Sequence, residues 1–237
     1  MQYFLTAEEM RRMKEGIKTV VAIPFIDDIE DYILEAIWEY TKNIDGIDPF
    51  YNIRSKKLYD VVDNERHIGW SIKSIQWEFY PNCEFELVIQ RADVFKKSNE
   101  LISHTLTKES DPNLIGKALL KHWALKVEQD AQSQGVDSKR IMILLKNSTK
   151  SKFAILENDI HLYNESELKW QWTNQNKNGL QGIRLTDGKC VYRWYPSQKQ
   201  FFERFILPSS ADIFEVNITR LTKSQITNII LSAIERD

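Results

Sequence analysis

The hydrophobic residues of this chain follow a helical period first, then an alternating one, and later a helical one again. Thr6 and Glu9 form a capping box, in which each side chain can bind the other residue's free backbone amide, and this predicts a helix that ends near Lys18. A second helix is predicted from about Asp28 to Asn43. Its expected apolar stripe consists of Ile29, Ile33, Ala36, Ile37 and Tyr40.

Polar and apolar residues alternate over about residues 57–91, which is typical of half-buried strands. Residues 58–62, 68–77 and 84–91 form three such runs. A polar turn separates the first two runs, and Pro81-Asn82 separates the last two. We therefore expect an antiparallel meander of three strands.

The rest of the chain alternates between helical and strand patterns. A helix is predicted from Asp111-Pro112 to about Gln134, and the nearly all-apolar run 140–146 is typical of a strand buried on both faces. Further strands are expected at 153–156 and 212–218, and Thr222 opens a terminal helix. The order of elements predicts an α/β fold with a mixed central β-sheet flanked by helices. No repeat or linker marks a boundary, so we expect a single domain over residues 1–237.

The composition excludes several classes of protein. The 237 residues include only 8 Gly and 6 Pro, which argues against collagen-like and broadly disordered chains. No stretch approaches the roughly 18 apolar residues of a membrane span, so no membrane association is expected. Two cysteines and a charged amino terminus without an apolar core point to the cytoplasm.

The formal net charge of −2 conceals an uneven distribution. Residues 1–90 carry 10 Lys and Arg against 17 Asp and Glu, whereas residues 91–152 carry 12 against 7. Such a chain can hold an acidic cation site beside a basic surface, although a chance fluctuation gives the same counts.

Three residues of the expected meander have side chains suited to phosphodiester chemistry. Ser71 and Lys73 are two residues apart on one strand and so share a face, and Asp60 lies on the preceding strand. A carboxylate can hold a divalent cation that activates water, and a lysine can orient that water or stabilise developing charge. A structural ion pair between Asp60 and Lys73 is the rival interpretation.

The segments Leu58-Tyr59-Asp60-Val61-Val62 and Gly69-Trp70-Ser71-Ile72-Lys73-Ser74 resemble the motif of the PD-(D/E)XK nuclease superfamily, and within it the type II restriction endonucleases. The resemblance covers roughly residues 28–91. It implies a restriction-endonuclease-like fold, Mg²⁺ as cofactor, double-stranded DNA as substrate and a homodimer. It also implies that Asp60 binds the metal and that Lys73 is catalytic.

Two departures from the family pattern affect the expected site. Ser71 stands where the family has Asp or Glu, and Tyr59 stands where it has Pro. A carboxylate from elsewhere is then needed to complete the metal and catalytic site. The candidates are Glu86 on the next expected strand, and Glu35 or Glu39 on the second helix, of which Glu39 is preferred.

The region 166–204 is rich in amides, basic residues and tryptophans, and we interpret it as the DNA-recognition region. Arg, Lys, Asn and Gln read base edges, and aromatic rings can stack or wedge. The tryptophans can equally belong to the core. The predicted DNA-binding residues are Lys169, Asn174, Gln175, Lys177, Gln181, Arg184, Arg193, Gln198 and Lys199.

The sequence thus favours a metal-dependent, sequence-specific endonuclease of the restriction type. The alternative is a non-catalytic DNA-binding or protein-interaction domain that uses the same fold.

Overall fold

The computed structural model describes residues 1–44, 57–77, 82–217 and 219–234. Contacts divide the chain into two units, each built from separate stretches. The first unit draws on the described residues of Met1–Tyr80, Ser133–Ile160 and Ser210–Asp237, and the second on those of Pro81–Gln132 and His161–Ser209. No helix within the described part of the chain is both long and apolar enough to span a membrane.

The described elements are, in chain order, β1 (Gln2–Tyr3), α1 (Ala7–Ala22), α2 (Asp31–Lys42), β2 (Val61–Asp63), β3 (Ile68–Gln76), β4 (Glu84–Arg91), α3 (Val94–Ile102), α4 (Pro112–Gln134), β5 (Ser138–Lys146), β6 (Lys152–Asp159), a 3-10 turn (Glu165–Glu167), β7 (Leu168–Trp172), β8 (Leu180–Arg184), β9 (Cys190–Tyr195), β10 (Gln200–Ile206), β11 (Asp212–Glu215) and α5 (Lys223–Ile234).

The sheet of the first unit is mixed, with strand order β1-β6-β5-β3-β2 and β11 also paired to β6. β3 runs parallel to β5, and its pairing with β2 is antiparallel. A parallel pair needs a long crossover, which the chain supplies between residues 77 and 138. The predicted α/β class with a mixed sheet is confirmed.

Helices α1 and α2 cover one face of this sheet. Thr6 and Glu9 cap α1 reciprocally, as the capping box predicts. Leu34 and Trp38 of α2 are fully buried and belong to one cluster with Trp70 of β3 and Met142 of β5. Residues 141–146 of β5 are all buried, which confirms a strand enclosed on both faces.

A buried carboxylate ties α2 to the sheet. Glu157 of β6 is 1% exposed and accepts hydrogen bonds from Trp70 Nε1 at 2.7 Å, Arg140 Nη1 at 2.9 Å and Lys42 Nζ at 3.0 Å. Because two cations and an indole satisfy it, this charge can remain in the interior.

The sheet of the second unit is antiparallel throughout, with order β4-β10-β9-β8-β7. One of its faces is packed by α4, where Gly116 lies against the ring of Trp170. Trp170, Trp194 and Phe201 are buried, so these aromatic residues form core.

Two of the sequence predictions are wrong in detail. β4 does not continue a meander from β3, since β2 and β5 occupy both edges of β3 and β4 pairs with β10 instead. The buried face of α2 is Leu34, Ile37, Trp38 and Thr41, whereas Tyr40 is 49% exposed.

Candidate functional site

The candidate site lies where β2 separates from β3 in the first unit. A tight turn joins the two strands, because Asp63 Oδ1 accepts the backbone amides of Glu65 at 3.0 Å and Arg66 at 2.9 Å. The strand pairing runs from Asp63 opposite Ile68 to Val61 opposite Trp70. Asp60 is the first residue before β2, so it stands at the end of the ladder.

Beyond this point, side chains and not the β2 backbone bind the polar backbone groups of β3. Asp60 Oδ2 accepts a hydrogen bond from the Ile72 amide at 2.7 Å. Lys73 Nζ donates to the Ile72 carbonyl at 2.9 Å and lies 3.6 Å from Asp60 Oδ2. The sequence prediction that Asp60 and Lys73 come together is therefore confirmed. Their side chains are 25% and 28% exposed, so solvent and ligands reach both.

Ser71, the third residue of the predicted motif, directly precedes Ile72 on β3. The β2–β3 register ends at Val61 opposite Trp70, and the Asp60 amide also donates to the Trp70 carbonyl at 2.9 Å, so Asp60 is not paired with Ser71 in the ladder. The Ser71 side chain is 2% exposed, and its hydroxyl has no hydrogen-bond partner among the described residues. No hydrogen bond joins this hydroxyl to Asp60 or Lys73, so the structure brings Asp60 and Lys73 together and leaves Ser71 outside the pair.

Burial raises the pKa of the Asp60 carboxyl group above its ordinary value, and the Lys73 charge and the Ile72 amide oppose that rise. The negative charge of Asp31 raises the pKa further. A desolvated carboxylate with a specific charge partner is a common feature of functional sites, because desolvation makes a cation a favourable neighbour.

Asp31 is the carboxylate that the sequence reasoning missed. It is the first residue of α2, and the segment before it is fixed against the sheet. Lys146 Nζ binds Asp28 Oδ1 at 2.6 Å, the Ile29 carbonyl at 3.0 Å and Ser74 Oγ at 3.4 Å, so the start of α2 lies beside the residue after Lys73. No motif marks Asp31 in the sequence, because its approach to Asp60 depends on how the start of α2 packs against the sheet.

Glu86 belongs to a different part of the molecule than predicted. It lies on β4 in the second sheet, where its carboxylate binds Arg204 at 2.8 Å and Arg193 at 3.0 Å. The prediction that Glu86 lies on the strand next to Lys73 is wrong, because β3 has no free edge to accept β4.

Glu35 and Glu39 lie one and two helical turns after Asp31, about 6 and 12 Å along the axis of α2. Glu39 is half-buried, and desolvation raises its pKa. Among the helix carboxylates, Asp31 is the one whose charge acts on Asp60, so it replaces Glu39 as the first choice for completing the site.

The nine predicted DNA-binding residues all lie in the second unit. Lys169, Gln181 and Arg193 share its outer sheet face, since Gln171 pairs with Gln181 and Gln181 with Arg193. Four of the five cations are paired with carboxylates: Lys177 with Glu109, Arg184 with Asp187, Arg193 with Glu86 and Lys199 with Asp93.

The amides among these nine residues lie in two turns and on β8. Asn174 Oδ1 accepts the Asn178 amide at 3.2 Å, which closes the turn after β7, and Gln175 is exposed in the same turn. Gln198 is exposed in the turn between β9 and β10. These turn positions leave their side-chain amides accessible to a partner.

Within the described ranges, no group of three or more His, Cys, Asp or Glu side chains could hold a metal ion. Asp60 is the carboxylate of the pair, and Asp31 is a second carboxylate whose charge acts on it. This donor set suits Mg²⁺, which keeps several waters and is commonly held by one or two carboxylates together with substrate phosphates.

Comparisons with protein-family models, with curated proteins and with solved structures find no match for this chain.

Proposed function

We propose that this protein is a Mg²⁺-dependent endonuclease that hydrolyses phosphodiester bonds of double-stranded DNA, of the restriction type. The observation that supports the proposal is the convergence of Asp60 and Lys73, whose Oδ2 and Nζ atoms lie 3.6 Å apart. These are the residues on which the resemblance to the PD-(D/E)XK nucleases rests.

Each residue of the site has a defined task under this proposal. Asp60 would hold the metal, with Asp31 as the candidate second ligand, and a bound Mg²⁺ would polarise the phosphate and lower the pKa of a coordinated water. Lys73 donates a hydrogen bond to the attacking water or to a phosphate oxygen, where its positive charge stabilises the charge that develops.

One observation favours the alternative of a non-catalytic binding domain. Asp60 and Lys73 satisfy both backbone groups of Ile72 on the side that β2 leaves open. An unpaired buried backbone group costs about 1–3 kcal/mol, so this capping gives the two side chains a structural task without any chemistry.

Partner and assembly follow from the proposed class of enzyme. The outer face of the second sheet, with Lys169, Gln181 and Arg193, is the recognition surface that we propose for DNA. A homodimer places one active site at each strand of a symmetric target. Sedimentation of the purified chain with and without a duplex measures that assembly.

The test is cleavage of supercoiled plasmid and of genomic DNA in the presence of Mg²⁺. We expect the wild type to give discrete fragments and Lys73→Met to lower the rate by roughly 10²–10⁴-fold. Lys18→Met, which removes an exposed lysine of α1 in the same unit, is the matched control. Unchanged cleavage by Lys73→Met would refute the site. Duplex binding without cleavage by a folded wild type would favour the alternative.

A further inference from the structure

A polar groove opens in the first unit where the turn between β5 and β6 meets the segment before α5. Its volume is about 440 Å³. The polar lining consists of Thr149, Lys150, Ser151, Asn217, Thr219 and Arg220. The groove is therefore rich in hydrogen-bond donors.

The side chain of Asn147 holds the β5–β6 turn in one shape. Its Oδ1 accepts the amides of Ser151 at 2.9 Å and Lys152 at 3.0 Å, and its Nδ2 donates to Thr149 Oγ1 at 2.9 Å and Ser151 Oγ at 3.2 Å. Lys150 adopts a left-handed backbone conformation with φ 54°. The turn is thus fixed by four hydrogen bonds before any ligand arrives.

Of the two hydroxyl hydrogens that Thr149 and Ser151 carry, one has no acceptor within this turn. Thr149 Oγ1 and Ser151 Oγ lie 2.8 Å apart, so one hydroxyl donates to the other. Both hydrogens of the Asn147 side-chain amide are already directed at these two oxygens. The second hydroxyl hydrogen therefore has no acceptor within the turn and can be donated to a bound group.

The two cations of the groove are incompletely neutralised. Lys150 Nζ lies 3.8 Å from Asp28 Oδ1, an oxygen that Lys146 already binds at 2.6 Å. Arg220 makes no hydrogen bond or ion pair with any described residue. A guanidinium and an ammonium beside a hydroxyl donor match the oxygens of a phosphate, since arginine binds such groups in a bidentate manner.

We propose that this groove is a phosphate-binding site, in which Arg220, Lys150 and a hydroxyl of the β5–β6 turn bind the oxygens of a phosphate group. The source is either free phosphate or the backbone of a nucleic acid. Lys146, just before the turn, pairs with Gln76, which is three residues past Lys73 and so about 10 Å along β3. The assignment of the phosphate to a nucleic-acid backbone rests on the proposed function, whereas the binding of phosphate itself does not.

The experiment titrates the full chain with inorganic phosphate and follows backbone amide resonances by NMR. We expect saturable shifts concentrated at residues 147–151 and 220, and a half-saturation concentration at least about tenfold higher in Lys150→Gln/Arg220→Gln. The control variant Lys97→Gln/Lys108→Gln removes two exposed charges from the second unit and should respond as the wild type does. Thermal melts verify that both variants are folded.

A second arm measures binding of a short duplex in EDTA, where cleavage plays no part. If Lys150→Gln/Arg220→Gln loses duplex affinity as well as phosphate affinity, the phosphate belongs to the nucleic-acid backbone. Unchanged duplex affinity identifies free phosphate as the ligand. Shifts that are absent, or that persist equally in the double variant, overturn the phosphate site whether or not the protein cleaves DNA.

Discussion

Glu203 is a carboxyl group in an apolar part of the second unit. It lies on β10 opposite Tyr192 of β9, and it makes no hydrogen bond or ion pair with the described residues. Burial raises its pKa to about 8. The group therefore retains its proton at neutral pH in the folded protein and loses it in the unfolded chain.

This difference predicts the pH dependence of stability. Between about pH 4.5 and pH 8 the folded state binds more protons than the unfolded state, so stability falls as the pH rises through this range. Glu203→Gln should match the wild type near pH 4 and exceed it by roughly 3–5 kcal/mol near pH 9, since each pKa unit of difference is worth about 1.4 kcal/mol. Denaturant melts across this range, with the exposed Glu100→Gln as control, measure the difference. A difference in stability between Glu203→Gln and the wild type that does not change with pH would contradict this account of Glu203.

Ser71 offers a test of metal binding that does not depend on activity. Ser71→Asp places a buried carboxylate at the position where the nuclease motif has Asp or Glu, and without metal we expect it to lower stability by about 2–4 kcal/mol. Mg²⁺ should restore much of this loss, because a ligand that binds only the folded state raises the melting temperature. Differential scanning fluorimetry with Mg²⁺ and with EDTA measures the shift. Equal Mg²⁺ shifts in variant and wild type would argue against a cation site here.

Local signals in the sequence predicted the helices well. The capping residues Thr6 and Thr222 and the Asp111-Pro112 start lie where helices begin, because capping depends on residues within one turn of each other. The hairpin of β2 and β3 was equally local, and with it the approach of Asp60 to Lys73. These local signals were sufficient to predict that Asp60 and Lys73 lie close together.

Strand partners distant in sequence were not predictable in the same way. The alternation of β4 is a correct strand signal, yet its partner is β10, more than a hundred residues later. β3 instead pairs with β5 across a crossover of about 60 residues. Since periodicity describes one strand and not its neighbour, Glu86 was assigned to the wrong sheet and Asp31 was overlooked.

The contact between α4 and β7 makes a prediction at the level of packing. A Cβ atom added at Gly116 would lie 2.3 Å from atoms of the Trp170 ring, too close for any side chain. We expect Gly116→Ala to destabilise the protein by about 1–3 kcal/mol, despite the better helix propensity of Ala. Lys121→Ala on the exposed side of the same helix should change stability by less than about 0.5 kcal/mol. Stabilisation by Gly116→Ala in chemical denaturation would show that helix and strand do not pack this closely.

The chain passes four times between its two units, which accounts for the absence of a linker in the sequence. The structure also shows where acidic residues of the first third of the chain lie. Asp31 and Asp60, from the acidic first third, both belong to the first unit, and the charge of Asp31 acts on Asp60. The net charge of −2 is therefore compatible with a cation site and with separate surfaces for phosphates.

Under the proposed function, Asp60 and not Glu86 contributes to the active site. Cleavage of DNA in Mg²⁺ by Asp60→Asn and Glu86→Gln, two variants that each remove one negative charge, tests this claim most directly. We predict that Asp60→Asn lowers the cleavage rate at least about 10²-fold while Glu86→Gln stays within a few fold of the wild type, with both variants folded. Retained cleavage by Asp60→Asn, or an equal loss in Glu86→Gln, would contradict the account.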